Sequence, residues 1–283
     1  MIKQILLTGS GGFIGKNLKN ALENRYILHT PRSFELNLKE QGSVSDFFKN
    51  HQIDYIIHCA SIGGMRGQTD QESIVSENLC MLDNLLQAKR KEVPLLFFGS
   101  GAMYNRFRHL HKVSEEEIGL HIPTEPYGKA KMLASQYAKK DPQLLCLNIF
   151  SCYGYYEKPS RFPTHVMEKM LRHEDVIIEK NAVFDYLWIE DLVKIIAHFI
   201  EHKPSQNILN LTPSQSISLH EMALMLQKIT KSQGKVLLKD QTLHYEYTGS
   251  NKALLKQIGD FQFTPLQEGL EKFYNFYLRD SRI

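Results

Sequence analysis

The stretch KQILLTGSGGFIG, Lys3 to Gly15, runs from apolar residues into a glycine turn and then resumes with helical spacing. KQILLTG reads as a strand, and IGKNLKNALEN as the helix that leaves the turn. Glycines at 9, 12 and 15 give GxxGxxG, a variant of the commoner GxGxxG. Gly9 allows a tight turn, Gly12 lets backbone approach a pyrophosphate, and Gly15 lets the helix pack close to the sheet. Free amides at the helix N-terminus then face the phosphates. The glycines alone also suit an ordinary flexible turn. Their place between a first strand and a first helix predicts dinucleotide binding.

Outward from this turn, short apolar runs alternate with longer amphipathic ones. RYILHT, DYIIHCAS, VPLLFFGS and QLLCLNIF read as strands; ESIVSENLCMLDNLLQAKRKE and YGKAKMLASQYAKK read as helices. The unbroken apolar run in DYIIHCAS suits a strand covered on both faces. This rhythm predicts an α/β fold: a Rossmann-type, doubly wound parallel sheet with a smaller C-terminal α/β substrate-binding region. Residues 1–150 form the dinucleotide-binding part and 151–283 mostly the substrate region. Segments near 186–212 return to the first part, with QNILNLT as a further strand of the main sheet. Helical segments are expected at THVMEKMLRHE, IEDLVKIIAHFIEH and SLHEMALMLQKITKS.

The 283 residues carry a net charge of +3, from 34 basic and 31 acidic side chains. That balance is too mild to imply nucleic acid or an anionic membrane as a partner. Hydrophobic residues make up 42% and charged residues 23%, as in ordinary globular proteins. Cys59, Cys80, Cys146 and Cys152 form no CxxC pair and no zinc spacing, so no metal is expected. Cys59 and Cys146 sit in apolar runs as reduced thiols, a cytoplasmic pattern. MIKQILLTGS reaches its glycines too soon for a signal peptide, and no apolar run approaches the ~20 residues of a membrane span.

An NAD site places a carboxylate at the end of the second strand to hold the ribose hydroxyls. Here the strand runs into LHTPRSFELNL, with no acid at its end and Arg32 close behind. A guanidinium forms bidentate bonds to phosphate and suits the 2′-phosphate of NADP; taken alone, it also suits a solvated loop. Further along, YGKAK puts Tyr127 and Lys131 four residues apart, on one helical face. An ammonium beside a phenol favours the phenolate and makes it a proton exchanger near neutral pH.

With these motifs in this order, the sequence resembles the extended short-chain dehydrogenase/reductase family of nucleotide-sugar epimerases, dehydratases and reductases. TGSGGFIG resembles the family's glycine turn, IIHCAS its HxA segment, YGKAK its YxxxK, FDYLWIEDLV its RDFxxVxD, and DFQFTPLQEGL its C-terminal helix entry. Ser100 stands where the family keeps its active-site serine or threonine. The resemblance implies cofactor contacts from Gly9, Gly12, Phe13, Ile14, Gly15, Arg32, Asn37, Leu38, Ala60, Tyr127 and Lys131. It implies that Lys131 binds the nicotinamide ribose, that Tyr127 exchanges a proton with the sugar's carbon-4 oxygen, and that Ser100 hydrogen-bonds that oxygen.

Within the family, SIGGMRG, FFGSGAMY, RSFELNL and PTHVMEKMLRH are most similar to the GDP-L-fucose synthase-like 4-ketoreductases. That likeness places His165 where this branch has a histidine acting on the sugar. Two departures stand out. Ala102 replaces the cysteine that works with that histidine, and Phe184 replaces the RDF arginine that meets the diphosphate. Arg66, Arg106, Arg108, Arg161 and Arg172 are candidates for the missing arginine. Gly101 and Ala102 supply no acid or base, which argues against dehydration. The expectation is therefore NADPH-dependent reduction of a nucleotide-linked 4-keto sugar by a homodimer built on the MLDNLLQA and MLASQYA helices. The alternatives are a redox-neutral NAD-dependent 4-epimerase and a non-catalytic dinucleotide-binding sensor or scaffold.

Overall fold

The computed structural model describes residues 2–65 and 68–279. The first strands are β1 (Gln4–Thr8), β2 (Ile27–His29), β3 (Tyr55–His58), β4 (Leu95–Ser100), β5 (Leu110–Val113) and β6 (Leu144–Ile149). Between them lie α1 (Phe13–Leu22), α2 (Gln41–Asn50), α3 (Ser73–Ala88) and α4 (Pro126–Lys140). After β6 come β7 (Ser151–Tyr153), α5 (Phe162–Leu171), β8 (Val176–Ile178), β9 (Asn181–Phe184), β10 (Tyr186–Trp188), α6 (Ile189–Glu201) and β11 (Ile208–Leu211). The chain ends with β12 (Ile217–Ser218), α7 (Leu219–Thr230), β13 (Val236–Leu238), β14 (Leu243–Gly249), α8 (Lys252–Ile258) and α9 (Leu266–Arg279).

Six parallel strands form the main sheet in the order β11–β6–β4–β3–β1–β2. The chain winds outward from β1 in both directions, so the order reverses between β1 and β3. Ligands of open α/β sheets bind at that reversal, beyond the carboxyl ends of the strands. All four residues of β3 are buried, as its apolar run predicts. A bond between Thr8 Oγ1 and His58 Nδ1, 2.8 Å long, ties the ends of β1 and β3 together. QNILNLT does return to the main sheet, as β11 beside β6. Sequence reading did not single out α2. It buries only Val44, so its apolar period is faint.

A second sheet, β12–β9–β14–β5, stands over the strand ends. It takes β5 from the N-terminal half, and β14 lies parallel to both β5 and β9. The carboxylate of Asp185 fastens this layer. It is fully buried between β9 and β10 and accepts from Lys112 Nζ at 3.0 Å and Thr212 Oγ1 at 2.9 Å. It also accepts from Ser216 Oγ at 2.6 Å and from the Gly249 N–H at 2.8 Å. Burial raises its affinity for a proton, and the Ser216 hydroxyl and the Lys112 ammonium oppose that rise.

Removing this carboxylate strands several buried donors, which costs about 2–4 kcal/mol. Urea denaturation of Asp185→Ala checks this; a loss below about 0.5 kcal/mol, the scale of a surface change, refutes the fastening role.

Candidate active site

A cleft of about 990 Å³ opens between the carboxyl ends of the main sheet and the second layer. The glycine turn forms its floor. Gly9 has φ +67°, and a Cβ there would lie 2.6 Å from the Ala60 nitrogen. A Cβ on Gly15 would lie 2.2 Å from the Gly9 carbonyl oxygen. Both contacts are with backbone, so neither position accepts a side chain. Gly12 caps α1 without any side-chain bond to the helix amides. The first amides of α1 are therefore left for a phosphate, and the residues present fit a dinucleotide's pyrophosphate.

Ser100 ends β4, and α4 presents Tyr127 and Lys131 to the same cleft. Lys131 is buried, and its ammonium donates to the Phe98 carbonyl at 2.9 Å. That bond aims the Lys131 nitrogen under the Tyr127 ring, 5.4 Å from the ring centroid. On the other side, a Cβ on Gly64 would come within 2.8 Å of the same ring. The Gly64 N–H is held by the Asp70 carboxylate at 3.0 and 3.1 Å. The loop after β3 thus clamps the tyrosine through a bare glycine at φ +75°.

His58 and Cys59 on the floor, and buried Cys146, are kept neutral. Burial, helped by the Lys131 charge, pushes the His58 imidazole down to about 3. Burial raises the Cys59 thiol and pushes the Cys146 thiol up to about 12, so neither is a thiolate near neutral pH. All four cysteines are free. Among the described residues no group of three metal-binding side chains occurs, and no helix is long and apolar enough to cross a membrane.

Gly9, Gly12, Phe13, Ile14, Gly15, Ala60, Ser100, Tyr127 and Lys131 all line this one cleft. Arg32, Asn37, Leu38 and His165 do not. Arg32 is exposed in the loop beyond β2, where an adenosine ribose reaches in open α/β folds. The nearby acid, Glu35, turns into its own loop and accepts the Arg32 N–H at 2.7 Å. Asn37 caps its loop through Lys39 N–H, and buried Leu38 gives its carbonyl to Asn84. His165 is exposed on α5, because its neighbours Thr164 and Val166 are the ones packed inward. Of the candidate arginines, Arg106 and Arg161 line the cleft. Arg108 bonds the Tyr104 carbonyl, Arg172 pairs with Glu168, and Arg66 lies outside the described residues.

Sequence reading missed an aromatic wall and part of a basic rim. Phe150, Phe184, Tyr245 and Tyr247 pack ring against ring over Ser100 and Tyr127. The alternation of HYEYTG was the available signal: Tyr245 and Tyr247 share one face of a strand. Lys158, Lys180 and His244 join Arg106 and Arg161 around the mouth. Buried Glu157 accepts from Thr164 Oγ1 at 2.8 Å and pairs with Arg161.

With this geometry in view, the comparisons with known proteins are specific. The model of the NAD dependent epimerase/dehydratase family matches residues 5–212. The chain belongs to this family. It is 27% identical to GDP-L-colitose synthase of Yersinia pseudotuberculosis, over 98% of this chain and 99% of that one. It is 23% identical to GDP-L-fucose synthase of Escherichia coli (strain K12), over 99% and 98% of the two chains. In fold it is similar to a GDP-mannoheptose C4 reductase from Campylobacter jejuni with NADP bound. That pair has a TM-score of 0.85 at 19% identity, over 98% of each chain.

Glu157 makes a pH-dependent prediction. Burial pushes its carboxyl from the ordinary 4.5 up to about 7. Between those values the unfolded chain releases a proton that the folded chain keeps, so stability falls as pH rises through the window and levels off above it. Glu157→Gln removes this contribution. Melting temperatures at pH 5 and 7.5 are expected to fall less in the variant than in the parent; equal falls refute the assignment.

Proposed function

We infer that the protein is an NADPH-dependent reductase of the 4-keto group of a nucleotide-linked sugar. The convergence of Ser100, Tyr127 and Lys131 in one cleft at the carboxyl ends of the main sheet carries this reading. Beside them Gly101 and buried Ala102 offer no ionisable group. A bound nicotinamide dinucleotide supplies a hydride. Tyr127 gives its hydroxyl proton to the carbonyl oxygen, and Ser100 donates a hydrogen bond to that oxygen as charge builds on it. The Lys131 ammonium stabilises the phenolate left behind. Dehydration would need an acid and a base at 101 and 102, and epimerisation beside the ketone needs a proton carrier that Ala102 is not.

Two further observations support the substrate class. The rim cations Arg106, Lys158, Arg161 and Lys180 suit a diphosphate, a task the family gives partly to the arginine replaced here by Phe184. The wall of Phe150, Phe184 and Tyr247 suits the apolar face and methyl group of a 6-deoxy sugar. Both curated relatives carry GDP sugars in their names, so a GDP-linked 4-keto sugar is the first substrate to try. NADP fits Arg32 better than NAD, because no carboxylate at the end of β2 reaches for ribose hydroxyls. A second copy completes the reading: α3 and α4 lie side by side, and Leu133 is exposed on α4.

Purified protein is expected to consume NADPH only when a 4-keto nucleotide sugar is present. Copurifying NAD with no net consumption of NADPH makes it a 4-epimerase instead. Tyr127→Phe is expected to lower kcat by about 10²–10³-fold while the melting temperature holds. A variant with full turnover sinks the mechanism. Light scattering is expected to give twice the 32.7 kDa chain mass, with Leu133→Glu shifting it toward one copy.

A further inference from the structure

Gly101 and Ala102 matter first for what they lack, and the fold shows what occupies the space. A Cβ on Gly101 would lie 2.5 Å from the Tyr247 hydroxyl and 2.7 Å from the Phe150 ring. Side chains do not approach so closely, so glycine at 101 is what admits Tyr247 to the end of β4. The same tyrosine is buried and lines the cleft with Ser100 and Tyr127. Its hydroxyl lies against Gly101, one residue along the chain from Ser100. Burial opposes its ionisation, so Tyr247 keeps its proton at neutral pH and is a donor at the end of β4.

Ser100 has one proton to give and two lone pairs to fill. One lone pair already accepts the Ala102 N–H at 3.2 Å. A ketone oxygen only accepts, so reduction requires the serine proton to point at the substrate and not back at Tyr247. We propose that Tyr247 is a positioning residue for this reduction: its O–H donates to the second lone pair of Ser100 and turns the serine proton toward the carbonyl oxygen. The inference rests on the reductase reading given above. The chain from Tyr247 through Ser100 to the substrate strengthens along its length and is already oriented when charge develops on the oxygen. Tyr127 remains the proton donor, so Tyr247 itself transfers none.

The test compares the parent, Ser100→Ala, Tyr247→Phe and the double variant, using NADPH and a GDP-linked 4-keto sugar. Tyr247→Phe is expected to lower kcat about tenfold with KM within about twofold, because the lost bond acts on the developing charge. The double variant is expected to match Ser100→Ala within about threefold, because the two hydroxyls act through one another. Unchanged kcat in Tyr247→Phe, or losses that multiply in the double variant, overturns the proposal. Neutron structures of the parent and Tyr247→Phe with NADPH give a readout independent of turnover. A Ser100 hydroxyl deuterium turned into the cleft in the parent and reoriented or spread in the variant supports the proposal; the same single deuterium position in both overturns it. If the parent reduces no ketosugar, the reductase reading falls, and the deuterium positions alone decide whether Tyr247 orients Ser100.

Discussion

A buried carboxylate holds the two layers of this protein in register. Asp185 collects an ammonium, two hydroxyls and a backbone amide from β5, the ends of β11, the turn before β12, and β14. An ion so deeply buried is tolerable only when its lone pairs are filled. Filling them fixes where β14 ends. That placement presses bare Gly249 against the Phe150 ring, where a Cβ would lie 2.5 Å from ring carbons, and sets Tyr247 beside Ser100. The cleft therefore depends on contacts made well behind it.

Inside the cleft, charge is rationed. His58 and Cys59, which line it, are kept neutral, and the Lys131 ammonium reinforces the neutrality of His58. Lys131 itself is steadied by the Phe98 carbonyl. With Cys59 held as a thiol, the floor offers no thiolate nucleophile near neutral pH. The cations of the rim, by contrast, stand at the mouth, where Arg106 and Arg161 are already partnered by Glu125 and Glu157. Long side chains held this way lose less freedom when an anion arrives.

Much of the N-terminal half was legible. The turn from Gly9 to Gly15, the buried strands β3, β4 and β6, and the Tyr127–Lys131 spacing all rest on contacts within one or two neighbouring elements. Such contacts leave a local period in the chain. The second layer was not legible, because β5, β9, β12 and β14 pair with strands distant in the chain, β14 with β5 across more than a hundred residues. His165 was singled out by likeness alone, and in the fold it is exposed on α5, outside the lining of the cleft, with Thr164 and Val166 packed inward.

By itself, then, the sequence determined the parallel α/β fold, the glycine turn and the one-face spacing of Tyr127 and Lys131. Glycine placement and helical spacing are local rules that need no partner. Only the tertiary structure decided what surrounds them. Phe184 replaces an expected arginine and joins an aromatic wall, and Gly101 proves to be space reserved for Tyr247, a residue 146 positions away in the chain. No local rule contains that relation, because it comes from a strand docked by Asp185 onto the far end of another sheet.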